Sequence, residues 1–190
     1  MATNVKRKQK SFVLLSGGID SAACVHYYLD LDFEVNGFFI DYGQNAGDNE
    51  RQSAMRIAAY YNIKLDQVSL SSTKHFGPGE LRGRNAFLIL VALLYYPQYK
   101  GIISLGIHSG TPYYDCSRQF IGDIKPIIDA YAGGEVSLDA PFLTWEKSAI
   151  YVYCKEKGVP VHLTYSCEDG STPSCGKCRS CKDREALSVS

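Results

Sequence analysis

Apolar and polar positions along the chain fall into two alternating kinds of segment. Residues 11–15, 35–40, 64–70 and 101–107 are short apolar or β-branched runs, and each predicts a strand. Between and after them, 21–31, 48–61, 85–96, 118–131 and 145–157 carry longer patterns with helical period. Pro97 stands just beyond the most apolar of these, and a Gly-, Pro- and Ser-rich loop spans 71–84. Strand–helix alternation of this kind predicts an α/β fold, a parallel sheet sandwiched by helices in a Rossmann-like arrangement. In such sheets ligands bind beyond the carboxyl ends of the strands, so chemistry is expected in the loops that directly follow them.

Composition narrows the function classes. The chain has 190 residues, 45% hydrophobic and 21% charged, a length that suits one domain with a real core. Twenty basic and twenty acidic side chains cancel, which argues against nucleic-acid or membrane-surface partners. Residues 1–10 are basic and read as a flexible tail preceding a domain over 11–190. The apolar run after them is too short for a signal peptide, and residues 86–96 are too few to span a bilayer. A cytoplasmic location is expected.

Four of the seven cysteines lie close together: Cys167, Cys175, Cys178 and Cys181, spaced C-x7-C-x2-C-x2-C. In a cytosolic chain such a cluster points to metal rather than disulfides. Four thiolates close tetrahedrally around a structural Zn²⁺ and leave no open position for catalysis. Lys177, Arg179 and Lys182 offset part of the charge, and the metal would pin a tail over 164–184. An iron–sulfur cluster is the rival occupant.

The strongest motif is Ser16-Gly17-Gly18-Ile19-Asp20-Ser21, between the first strand and the first helix. Adjacent glycines let backbone N–H groups approach an anion, two serines add hydroxyls, and the helix directs its positive end there. No Gly-Lys-Ser/Thr follows, so this is not a Walker A loop, and it is not a G-x-G-x-x-G fingerprint. It resembles the pyrophosphate loop of the N-type ATP pyrophosphatases, which cleave ATP to an adenylate and pyrophosphate.

Further motifs make the resemblance specific. Asp41-Tyr42-Gly43-Gln44, Gly83-Arg84-Asn85, Asp115-Cys116, Thr144-Trp145-Glu146-Lys147 and Thr164-Tyr165-Ser166-Cys167 occur in this order ahead of the cysteine tail. Together they resemble the QueC family, the 7-cyano-7-deazaguanine synthases of queuosine biosynthesis. The resemblance implies that ATP activates the carboxylate of a 7-deazaguanine-type acid, that ammonia gives an amide, and that a second activation gives a nitrile. Carried over by position, it implies that Leu15, Ser16, Gly17, Gly18, Ile19, Asp20 and Ser21 hold the phosphates, with Asp20 on Mg²⁺. Asp41, Tyr42 and Gln44 line the nucleotide pocket, and Arg84 and Asn85 meet phosphate or substrate carboxylate. Asp115 pairs with the guanine-like N–H edge, and Lys147 neutralises charge at the reacting centre. A homodimer is also implied.

Plainer readings stand beside these. Tyr42, Gln44 and Asn85 also read as loop and cap residues, and Arg84 as half of a surface ion pair, though the functional reading is favoured. Cys116 reads as a packed, inert thiol, and His75 and His108 as polar loop residues. The sequence also departs from the family at three places: the substrate loop is altered over 108–117 and lacks its expected Arg, the loop over 71–82 is short and should open one wall, and Glu168 replaces a Tyr. These departures keep open a ligase joining the acid to a protein or other amine, as in bacterial antiphage defence. A non-catalytic nucleotide-binding partner and a tRNA-thiolating enzyme also remain open.

Overall fold

The protein was described from a computed structural model, which covers residues 8–70 and 74–188. Five parallel strands form one sheet: β1 (Lys10–Leu14), β2 (Glu34–Asp41), β3 (Lys64–Ser69), β4 (Gly101–Ser104) and β5 (Val136–Asp139), in the order β3-β2-β1-β4-β5. Helices α1 (Ile19–Asp30), α2 (Gly47–Tyr61), α3 (Arg84–Tyr95), α4 (Arg118–Ala132), α5 (Lys147–Lys157) and α6 (Arg179–Ser188) alternate with or follow them.

Alternation within β1 assigns the two faces. Val13 points to one side, packing with Leu15 just beyond the strand against Ala22 and Val25 of α1, Ile57 of α2 and Ile150 of α5. Phe12 and Leu14 point to the other side and share a core with Ile89 of α3 and with Phe120, Ile124 and Ile128 of α4. Because both faces are covered, the central strands read as nearly unbroken apolar runs rather than as alternating ones.

Several boundaries and two elements differ from the sequence reading. Lys10 already pairs with Glu34 in β1, and residues 1–7 of the expected tail lie outside the described residues. The strand expected over 101–107 leaves the sheet after Ser104, and its last three apolar residues run on into a cleft. The helix expected from 145 begins at Lys147. β5 went unpredicted because four residues with one fully buried position give almost no period. α6 went unpredicted because its residues are overwhelmingly polar. Among the described residues no helix is long and apolar enough to cross a membrane.

Chain direction reverses its order at β1, since β2 and β3 lie on one side of it and β4 and β5 on the other. That switch point opens a crevice at the carboxyl ends of β1 and β4.

Candidate active site and metal centre

The crevice is a cleft of about 290 Å³. Its floor is the turn from β1 into α1. Gly17 has φ +82°, and a Cβ there would lie 2.5 Å from the Glu50 carbonyl oxygen, so the loop can press on α2 only with glycine. Behind it, the Gly17 carbonyl accepts hydrogen bonds from Ser53 Oγ at 3.0 Å and from Tyr165 N at 3.0 Å. Ser16 Oγ accepts from Gly18 N at 3.4 Å and lies 3.2 Å from Ser21 Oγ, which donates to Gly18 O at 3.0 Å. No side chain caps α1, so its first N–H groups remain available to an anion.

Two charged groups meet at this floor from opposite ends of the chain. Lys147 Nζ donates to both Asp20 oxygens at 2.6 Å, joining the start of α5 to the start of α1. His108, in the segment after β4, is buried, with Nε2 4.0 Å from Asp20 Oδ2. Its Nδ1 accepts from Gly110 N at 3.1 Å, which places the neutral ring's proton on Nε2, facing the floor. Burial lowers its pKa, with Asp20 pulling up and Lys147 pushing down. The sequence reading left His108 as a loop residue. Its one signal was its place directly after a strand at the switch point.

The far wall comes from the turn after β2 and the start of α3. Tyr42, Gln44, Glu50, Phe76, Leu81, Arg84, Asn85, Leu88 and Tyr113 line it. Gln44 is a brace: Oε1 accepts from Tyr42 N at 2.9 Å, and Nε2 donates to Ile40 O at 3.3 Å and to Glu50 Oε2 at 3.0 Å. Burial raises the pKa of Glu50, against the Gln44 hydrogen bond and the charge of Arg84. Glu50 was also missed in the sequence, where it reads as one more polar residue on a helix face. The wall expected to open is lined by Phe76, Gly77, Pro78, Gly79 and Leu81; residues 71–73 of that loop lie outside the described residues.

Of the residues singled out from sequence, Leu15, Ser16, Gly18, Ile19, Asp20, Ser21, Tyr42, Gln44, Arg84, Asn85 and Lys147 line one cleft. Gly17, Asp41 and Asp115 do not. Asp41 is turned to its own loop and to α2, accepting from Gly43 N at 3.0 Å and pairing with Arg51. Asp115 is buried, and its Oδ2 accepts from Asn85 N at 3.1 Å, while Asn85 Nδ2 returns a 2.8 Å bond to Asp115 O. Gly83 supplies no side-chain cap to α3, and Asp115 supplies one from across the fold. Beside it, burial and the Asp115 charge push the Cys116 thiol up to about 11, as befits an inert cysteine. Ser117, where the resemblance leads one to expect Arg, caps α4 by accepting from Phe120 N at 3.1 Å.

The four tail cysteines converge, with sulfurs all within 4.8 Å of one another and Cys175 Sγ 3.9 Å from Cys181 Sγ. Tetrahedral zinc with Zn–S bonds of ~2.3 Å needs S···S separations of ~3.8 Å, so the donor set fits a single metal ion. Cys175 N points at Cys167 Sγ (3.3 Å), and Lys177 N and Cys178 N at Cys175 Sγ (both 3.4 Å), bonds that favour thiolates. The cluster is tied to the cleft. Glu168, next to Cys167, accepts from Ser180 N and Oγ at the start of α6 (3.1 and 2.7 Å) and from Gly79 N of the wall (3.1 Å). Arg179 reaches across to Gly110 O.

Known proteins resemble this chain in sequence and in fold. A sequence profile of the queuosine biosynthesis protein QueC matches residues 10–82 and 80–188. A 7-cyano-7-deazaguanine synthase of Oceanobacillus iheyensis is 28% identical, with 93% of this chain and 91% of the relative covered. One from Prochlorococcus marinus is 32% identical, with 93% and 92% covered. Among solved structures, a U34-tRNA thiolase of Methanococcus maripaludis with its 4Fe–4S cluster superimposes with a TM-score of 0.59 at 13% identity, over 100% of this chain and 67% of that one. At that identity the likeness is one of fold. The profile match over nearly the whole chain, together with relatives aligned along nearly their full length, establishes that the chain belongs to the QueC family.

Proposed function

We propose that the protein is an ATP-dependent 7-cyano-7-deazaguanine synthase that adenylates 7-carboxy-7-deazaguanine and releases AMP and pyrophosphate. The observation that carries this reading is the cleft floor, where uncapped α1 N–H groups, two serine hydroxyls and the Asp20–Lys147 pair converge at the switch point of the sheet.

In the first step a carboxylate oxygen attacks the α-phosphorus, the bond to the bridging oxygen breaks, and pyrophosphate leaves into the loop. The N–H groups of the loop and Lys147 hold the charge that grows on the phosphates, acting by position rather than by covalent chemistry. His108 adds a neutral N–H donor at the same place. Ammonia then displaces AMP to give an amide. The amide oxygen then attacks the α-phosphorus of a second ATP, expelling a second pyrophosphate, and loss of AMP together with both amide protons gives the nitrile. Asp20 is the group that would hold Mg²⁺, whose charge, when bound, screens the polyphosphate. The cysteine set would hold structural Zn²⁺, fixing α6 and, through Glu168, the neighbouring wall.

Mass spectrometry after incubation with ATP, Mg²⁺, 7-carboxy-7-deazaguanine and ammonia tests the proposal. Nitrile with AMP and pyrophosphate is expected. ADP in place of AMP would overturn the adenylation step. AMP with amide and no nitrile would confine the enzyme to a single activation and direct attention to a larger amine acceptor.

A further inference from the structure

Recognition of the base needs a group that sees its donor edge, and Asp115 is turned away from the cleft to cap α3. Of the other carboxylates that line the cleft, Asp20 is taken up by Lys147, Glu168 by Ser180 and Gly79, and Asp183 lies toward His108, whereas Glu50 stands in the far wall. Glu50 lies in the first turn of α2 beside Tyr42 and Arg84, and its side chain lines the cleft. Its Oε2 is fixed by Gln44, whose amide is itself anchored to two backbone groups of the β2 turn. Among the described residues its Oε1 receives no hydrogen bond.

We propose that the Glu50 carboxylate reads the N1–H and 2-amino edge of the 7-deazaguanine acid. This rests on the synthase reading above and names the residue that sets its base specificity.

A half-buried carboxylate held by one amide gains when a ligand that displaces water brings donors to it. Two adjacent N–H groups suit it best, because each carboxylate oxygen then takes one. The 2-aminopyrimidinone edge of guanine offers that pair. Adenine offers one amino donor beside a ring-nitrogen acceptor, which would face the carboxylate lone pairs. The wall thus prefers the acid substrate to the base of ATP. Apolar surface is present for the ring: Tyr42 and Phe76 pack with centroids 5.8 Å apart and planes tilted by 60°, and Leu81 and Leu88 line the same cleft. Arg84 on the same wall suits the adjoining edge of the molecule, where O6 and the 7-carboxylate project.

The test is a two-by-two titration. Wild type and Glu50→Gln are each titrated calorimetrically with 7-carboxy-7-deazaguanine and with the analogue lacking the 2-amino group. Wild type should prefer the amino-bearing acid by about 10- to 100-fold, the worth of a hydrogen bond to a charged group. In Glu50→Gln that preference should shrink several-fold, with ATP affinity retained and a melting temperature no lower than that of wild type to show that the cleft is intact. An unchanged preference in Glu50→Gln, or a collapse produced by Asp115→Asn instead, would overturn the assignment. If wild type cleaves ATP yet binds neither acid, the synthase reading itself fails, and the assignment with it.

Discussion

Replacing either glycine of the phosphate loop by alanine should do opposite things. At Gly17, φ is +82° and the new Cβ would sit 2.5 Å from Glu50 O, 2.8 Å from Ser53 Cβ and 3.1 Å from Ala54 N. All three belong to the α2 backbone or its first side-chain carbon, so no rotamer change relieves the clash. Left-handed backbone at a non-glycine residue costs about 1–2 kcal/mol. Overpacking against an unyielding helix adds about 1–3 kcal/mol. The sum, about 2–5 kcal/mol, corresponds to a melting temperature lower by about 4–20 °C for a chain of this size. At Gly18, φ is −80°, and the new Cβ would meet Ser16 Oγ at 3.5 Å, an ordinary contact. Gly18→Ala should therefore fold with stability within about 1 kcal/mol of wild type, or slightly above it. Its methyl group, however, would project into the cleft, where the proposed reaction puts the phosphates, and should cut pyrophosphate release by about tenfold or more. Denaturant unfolding and a pyrophosphate-release assay on both variants separate the effects. Equal destabilisation of the two, or a Gly17→Ala protein as stable as wild type, would refute the packing argument.

Other predictions follow from the same geometry. Lys147→Met removes the cation bound to both Asp20 oxygens and should lower the rate of AMP formation by about 100-fold or more, with substrate still bound; a change of only a few-fold would remove Lys147 from the chemistry. Cys178→Ser should lose the bound metal, measured by atomic emission, and loosen α6, measured by amide exchange; full metal content with unchanged protection would contradict a four-thiolate site. Burial raises the Glu50 pKa in the folded protein, so the native state binds more protons there than the unfolded chain. Stability from this group then falls as pH rises above about 4.3, the unfolded value. Glu50→Gln should accordingly be the more stable protein at neutral pH, with the advantage fading in acid; a pH-independent difference would show that ionisation is not its source.

Sequence alone determined the local parts. Apolar runs located four of the five strands, helical period located five of the six helices, and the Ser16–Ser21 and cysteine motifs stood out because each works through neighbours in sequence. Backbone turns, helix ends and closely spaced thiolates are short-range structures, and short-range residue order suffices to specify them. β5 and α6 escaped because their stability is tertiary. One is held by pairing with β4, and the other by Glu168 and the cysteine cluster, neither of which leaves a period in the chain. The roles of Asp115 and Glu50 could not be read without the fold. Asp115 and Glu50 are both acidic residues near helix starts, yet the packing of residues 114–116 against α3 turns the first into a cap, while the Gln44 brace turns the second toward the cleft. Lys147 and Asp20 are 127 positions apart, and only the sheet order brings them together in one cleft. A carboxylate's function depends on which donors reach it first, and that is decided by contacts distant in sequence.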